Sequence, residues 1–332
     1  MLDWKSLARY WNKKALAQPD GVVGMARYGD GLAICHALFS SESETWSIMD
    51  ADYFDQYDED AQVDFVRNWL EQRKLTSADC HYVLNSKEYE LLLLEAPAVE
   101  DSELWDAAIW RIKELIQTPI DDTAVDVMRL PTDAYRGRVD MLYAVATSKA
   151  VIRQHIKFLK RCDLICRVID IPEMTIRNLL SHTQDADVGS LAVIGLRRSN
   201  GEIVIISHDA LYLTRNLEMG IKQLLTDSES QFSLENDLVI DRLALDVQRS
   251  LDYYESQVGK GIVKKLYLLP VTDERIDIVK DLSRLIPTLV EPFNLYESVQ
   301  LGFDKTLTPK EQAYCIPAIG AAIRMEEVHA KH

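Results

Sequence analysis

One order of segments occurs twice in this chain and limits its fold more than any single motif does. Residues 21–39, GVVGMARYGDGLAICHALF, form two apolar, β-branched runs joined at Tyr28-Gly29-Asp30-Gly31, and a third run follows at 45–49. Over residues 59–74 the period turns helical, with Val63, Val66 and Leu70 on one face and Phe65 and Trp69 beside it. The second half starts again with strands at 188–196, 202–207 and 210–215, the first two joined at Ser199-Asn200-Gly201. A long helix over 237–258 follows, with Ile240, Leu243, Val247, Leu251 and Tyr254 spaced three and four apart. Two meander-plus-helix halves predict an α/β chain of two lobes with a cleft between them, and 332 residues suffice for two cores.

Between the halves, strands are expected at 81–84 and 90–94. Ser102 is expected to cap a helix carrying Trp105, Ala108, Ile109, Ile112 and Ile116. Strands at 124–130 and 139–147, a helix at 148–161 and a strand at 164–171 complete the middle of the chain. The helix, strand pair and helix read as a small inserted subdomain. Near the end, a strand at 263–269, a helix at 273–285 and a last amphipathic helix at 309–327 are expected.

The formal charge of −16 argues against nucleic acid, which needs clustered Lys and Arg, and against an anionic lipid surface. Lys149, Arg153, Lys157, Lys160 and Arg161 gather at helical spacing, which reads as a solvated helix face. Residues 1–20 form an amphipathic leader without a continuous hydrophobic signal core, and no run reaches the roughly 20 apolar residues of a spanning helix. The expected place is the cytoplasm. Cys35, Cys80, Cys162, Cys166 and Cys315 lack paired zinc spacing and read as free, buried thiols.

Several ordered stretches resemble the PilM family of actin-like pilus assembly proteins, including its MshI-like, MSHA-pilus branch. They are Arg249-Ser250-Leu251-Asp252-Tyr253-Tyr254-Glu255-Ser256, Ala318-Ile319-Gly320-Ala321-Ala322-Ile323-Arg324, and Asp187-Val188-Gly189-Ser190 followed by Thr214-Arg215. The resemblance implies an actin-like ATPase (ribonuclease H-like) fold. Its first lobe would take 21–98 and 164–184, completed by a C-terminal helix at 313–328; the second lobe would take 185–312, and an inserted 1C subdomain 99–163. It also implies a partner: the cytoplasmic N-terminal tail of a PilN-like bitopic inner-membrane protein, held in a groove between insertion and first lobe. Trp105, Ile109, Met128, Leu130, Leu142 and Ala144 are the candidate lining. Other pilus assembly proteins are expected partners, with membrane placement through protein and no direct insertion.

An ATPase of this fold needs an Asp to hold hydrated magnesium and glycines that admit phosphates to backbone N–H groups. Aligning 24–28 with the family's first phosphate loop puts Ala26 at the Asp position and Tyr28 at a glycine position. The Gly29-Asp30-Gly31 stretch reads as a plain hairpin turn. Asp187, Gly189 and Ser190 keep part of the second loop, whereas Pro270 stands where the family has a Gly-Gly turn against the adenosine. The expectation is a degenerate site with lost or weak ATPase activity and at most weak ATP and magnesium binding. No catalytic residue and no metal site is expected. His329 and His332 nearly match a helical metal pair but sit at the extreme C-terminus. The acidic run Asp50, Asp52, Asp55, Asp58, Glu59 and Asp60 reads as a loop and a helix start, not a calcium loop. Two other readings remain open from sequence: an active actin-like ATPase, and the cytoplasmic part of a type II secretion assembly protein.

Overall fold

The first meander forms as β1 (Val22–Arg27), β2 (Leu32–Ser40) and β3 (Thr45–Phe54) in the computed structural model, which describes residues 21–75, 78–183, 185–186, 189–228, 233–273 and 278–324. Helix α1 (Glu59–Arg73) follows, capped by Asp58, whose carboxylate accepts from the Ala61 N–H. Strands β4 (Asp79–Val83) and β8 (Ile165–Asp170) add in parallel to β1, and β14 (Gln300–Leu301) borders β3. The six-stranded order is β14-β3-β2-β1-β4-β8.

The two faces of this sheet differ in side-chain size. Val23, Met25, Leu32 and Ile34 pack under Val66, Trp69 and Leu70 of α1 and under Phe158 and Leu159 of α3 (Lys149–Arg161). Each such side chain, fully buried, stabilises by roughly 1.5–3 kcal/mol, against at most about 1 kcal/mol for an exposed ion pair. This face therefore holds the lobe together. The opposite face is lined by Gly24, Ala26, Ala33, Cys35 and Ala37, and it carries the C-terminal helix α9 (Pro309–Ala322) at backbone distance. A Cβ added at Gly24 would lie 1.8 Å from the Ala318 carbonyl oxygen, so glycine is what permits the approach.

Helix α9 begins with a capping box between Thr308 and Glu311 and Pro309 in its first turn. It was expected to be amphipathic, yet from Cys315 to Ile323 nearly every residue is buried, because the helix runs between the sheet and α4 (Pro172–Leu180). Residues 325–328 of the expected helix lie outside the described residues.

The second lobe is a five-stranded sheet, β11-β10-β9-β12-β13, built from β9 (Ser190–Leu196), β10 (Gly201–Ser207), β11 (Ala210–Leu217), β12 (Val263–Leu268) and β13 (Leu289–Pro292). Helices α5 (Ile221–Ser228), α6 (Ser233–Tyr253), α7 (Val279–Leu285) and α8 (Leu295–Ser298) accompany it. The long helix buries Leu243, Val247 and Leu251 as its spacing predicts, then passes into a π-helical turn at Tyr254–Val258.

A third, antiparallel sheet, β5-β7-β6, is formed by β5 (Tyr89–Glu95), β6 (Thr123–Arg129) and β7 (Met141–Ser148), with α2 (Asp101–Ile112) on one face. The strand at 89–95, expected in the first lobe, pairs along its whole length with β7. Helix α3, expected in the insertion, packs instead on the first lobe's core. The unit that stands apart is thus β5 to β7, starting before residue 99 and ending before α3. Ser102 does not cap α2: the N-cap is Glu100, without a side-chain cap bond.

Candidate functional site

In open sheets with parallel strands, ligands sit beyond the carboxyl ends of the strands. In the first lobe those ends carry the β1–β2 hairpin and the Asp170–Pro172 junction; in the second, the β9–β10 turn and Pro270 after β12.

The first hairpin is closed against α9. The Tyr28 hydroxyl donates to the Tyr314 carbonyl at 2.7 Å, and the two rings meet edge-on at 4.9 Å. Tyr314 stacks on Tyr53 at 4.0 Å and donates to Asp30 at 2.8 Å, while Tyr28 N–H donates to the Gly31 carbonyl at 2.8 Å and closes the turn. Burial pushes the Tyr28 hydroxyl far above the usual phenol range. Ala26 is 3% exposed and lies in the core under α9. These two positions hold apolar and aromatic packing.

The second loop sits elsewhere than the sequence suggested. Ser190 is buried at the start of β9, with its Oγ 2.8 Å from the Tyr254 hydroxyl, inside the lobe. Gly189 beside it has φ +126°, and Asp187 lies outside the described residues. The cleft end of β9 is about 20 Å away at roughly 3.3 Å per residue, where the Arg197 N–H donates to the Asn200 carbonyl at 2.8 Å. Pro270 lies at the carboxyl end of β12, one residue past Leu269, whose N–H donates to the Ile194 carbonyl at 2.9 Å.

Between the two turns lies a cluster the sequence reading missed. Arg197 pairs with Glu202 at 2.7 Å and acts on the protonation of Tyr89, Glu173 and Tyr28; Tyr89 donates to Glu173 at 2.6 Å. Burial raises Glu202 to about 7, against the lowering pull of Arg197, and burial also raises Glu173. Arg197 is thus paired with Glu202 and also acted on by the charge of Glu173. Among the described residues, no group of three or more His, Cys, Asp or Glu is placed to hold a metal ion. The acidic run does structural work: Asp50 pairs with Arg73, Asp52 accepts from Trp69 and pairs with Lys305, Asp55 pairs with Lys310, and Glu59 and Asp60 pair with Arg161.

The six residues proposed to line a peptide groove are not brought together. Leu142 and Ala144 are fully buried under α2, and Trp105 donates its indole N–H to the Val125 carbonyl at 3.0 Å. Ile109 is half-buried on α2, and Leu130 is buried in the core between the lobes. Met128 alone of the six is half-buried on the face of the inserted sheet turned away from α2. That face continues with Leu91, Leu93, Tyr143 and Val145, and β6 adds Asp126. Strand alternation could have sorted these faces, but the run of four leucines at 91–94 hides it.

Two tethers bound this wall. Tyr89 joins the sheet to α4 through Glu173, and the Tyr143 hydroxyl accepts from the Thr214 N–H at 3.1 Å. Beyond it, the turn after β6 docks on the second lobe: Asp133 accepts from Tyr212 at 2.8 Å and pairs with Lys260.

No family model matches the chain, and no curated protein matches it. Among solved structures, a PilM–PilN type IV pilus biogenesis complex is similar, with a TM-score of 0.68 at 15% identity over 91% of this chain and 97% of that one. A Bacteroides thetaiotaomicron protein of actin-like ATPase fold scores 0.48 at 10% identity, covering 82% and 91% of the two chains. The cytoplasmic domain of EpsL, an inner-membrane component of the Vibrio cholerae type II secretion system, scores 0.44 at 12% identity, covering 88% and 92%. The chain has the actin-like ATPase fold. Among the described residues, no helix is long and apolar enough to cross a membrane.

Proposed function

We propose that this chain is a cytoplasmic assembly component of a type IV pilus of the MSHA kind. In this reading it binds the N-terminal tail of a PilN-like inner-membrane protein, and its nucleotide site is lost or weak. The observation that carries the reading is the partly buried apolar wall of Leu91, Leu93, Met128 and Val145 on the inserted sheet, which packs against the core and keeps an exposed edge at Asp126. A wall of this kind suits an extended peptide whose alternate side chains enter apolar positions. The likeness over nearly the whole chain to a protein solved with PilN supports the same partner class. The Tyr28–Tyr314 closure and the Glu173–Arg197–Glu202 cluster support a scaffold over a phosphoryl-transfer enzyme. In calorimetry with a synthetic tail peptide and with ATP·Mg, the peptide is expected to bind and the nucleotide to give no turnover. Tight ATP binding with turnover and no peptide binding would reverse the reading. A tail from a type II secretion component binding in preference to the pilus tail would reassign the machine.

A further inference from the structure

Asp126 is out of keeping with its surroundings. In register across the inserted sheet, Leu91 lies beside Val145 and Val145 beside Asp126; the next row is Leu93, Tyr143, Met128. A carboxylate therefore ends an otherwise apolar row on the wall described above. Its Oδ1 accepts from the N–H of the next residue, Val127, at 2.9 Å, and no side-chain donor among the described residues hydrogen-bonds it. The charged groups that face it are Arg324, just past α9, and Asp170, at the end of β8. Those two pair with each other at 2.7 Å, with Asp170 buried. Among the described residues, these three groups sum to one carboxylate more than the cations. Asp126 is exposed to solvent, and the protein mass around its carboxyl pushes it up to about 6.

A carboxylate at the exposed edge of an apolar wall is stabilised by a cation whose stem lies on that wall, and Lys and Arg have that shape. Cytoplasmic flanks of inner-membrane helices carry an excess of Lys and Arg, so a tail of the proposed partner class supplies them. The net charge of −16 adds attraction at longer range. We infer that Asp126 receives a Lys or Arg side chain of the bound tail and selects for tails that carry one. This inference rests on the tail-binding reading above.

The test uses the full chain and a synthetic peptide of the N-terminal cytoplasmic tail of a PilN-like protein of the same organism, with calorimetry from pH 5 to 8. Asp126→Asn is expected to weaken binding about tenfold or more, the usual scale of one charge-assisted hydrogen bond. Replacing the tail's Lys and Arg by Gln should weaken it similarly, and the two changes together should add little. Binding a cation needs the ionised carboxylate, so wild-type affinity should fall as pH drops below about 6, and the fall should vanish in Asp126→Asn. A melting curve shows whether the variant folds. Equal binding by both proteins, with the same pH profile, overturns the role of Asp126 and leaves the tail-binding reading standing. No binding of the tail to the wild-type chain overturns both.

Discussion

The Tyr28 hydroxyl donates to the main-chain carbonyl of Tyr314 at 2.7 Å, joining the first hairpin to a helix 286 residues later. With the Tyr53 stack and the Asp30 hydrogen bond, Tyr314 becomes the point at which the chain's end closes its beginning. Tyr314→Ala removes two ring contacts and a hydrogen bond together, and because the residue is only partly buried a loss of about 2–3 kcal/mol is expected, below that of a fully buried aromatic. Tyr28→Phe keeps the ring and removes one hydrogen bond, so about 1 kcal/mol is expected. Urea unfolding of both variants checks the ratio; equal losses would mean that ring packing contributes little.

Ala26→Asp introduces the residue type that a magnesium-binding loop uses, but at a 3% exposed position packed in the apolar core under α9. An uncompensated buried charge costs several kcal/mol. The variant is therefore expected to lose stability and to gain no ATP-dependent shift in melting temperature. A variant that folds as well as the parent and is stabilised by ATP·Mg would show that the hairpin is open to nucleotide.

Elements with one wet and one dry face were legible in the sequence: α1, α3 and α6 fall where their three-and-four spacing places them. Helix α4 was not legible, because all nine of its residues are buried, Glu173, Arg177 and Asn178 among them, and a helix without a polar face leaves no period. Its polar groups find fixed partners instead, as where Asn178 donates to the Gly320 carbonyl at 2.9 Å. The second loop was misplaced because Asp-x-Gly types occur at the start of β9, whereas the cleft lies at its other end, and residue types alone do not say which end of a strand faces a cleft. The short strands β13 and β14 carry too few residues for any alternation to be read.

Glu202 has a raised folded-state pKa of about 7 against an ordinary value of 4.5. A carboxyl raised on folding contributes stability that is fully present below its unfolded pKa and is lost as pH rises through the folded one. Between pH 5 and pH 8 the wild-type protein should therefore lose stability through this group, and Glu202→Gln should reduce that slope. Unfolding free energies of the two proteins at pH 5, 6, 7 and 8 give the difference; a difference that stays constant with pH would place the proton elsewhere in the Arg197 cluster.

The contact between the inserted sheet and the second lobe rests on an unusual backbone. Tyr135, Arg136 and Gly137 all have left-handed φ, at 53°, 58° and 60°, and the Arg136 side chain lies over Gly259, itself at φ +76° after the π-helical turn. A Cβ at Gly259 would come within 2.4 Å of Arg136 Cγ, so Gly259→Ala meets both a backbone penalty of about 1 kcal/mol and a side chain that must move. The exposed Asp133–Lys260 pair contributes at most about 1 kcal/mol, so Lys260→Ala should hardly change global stability. Both variants should instead loosen the contact locally, since Asp133, Tyr212 and Lys260 act at one point. Hydrogen exchange is expected to speed up at residues 131–138 while β9 and β10 keep wild-type protection. Unchanged exchange there in Gly259→Ala would mean that the strained turn holds its shape without the second lobe.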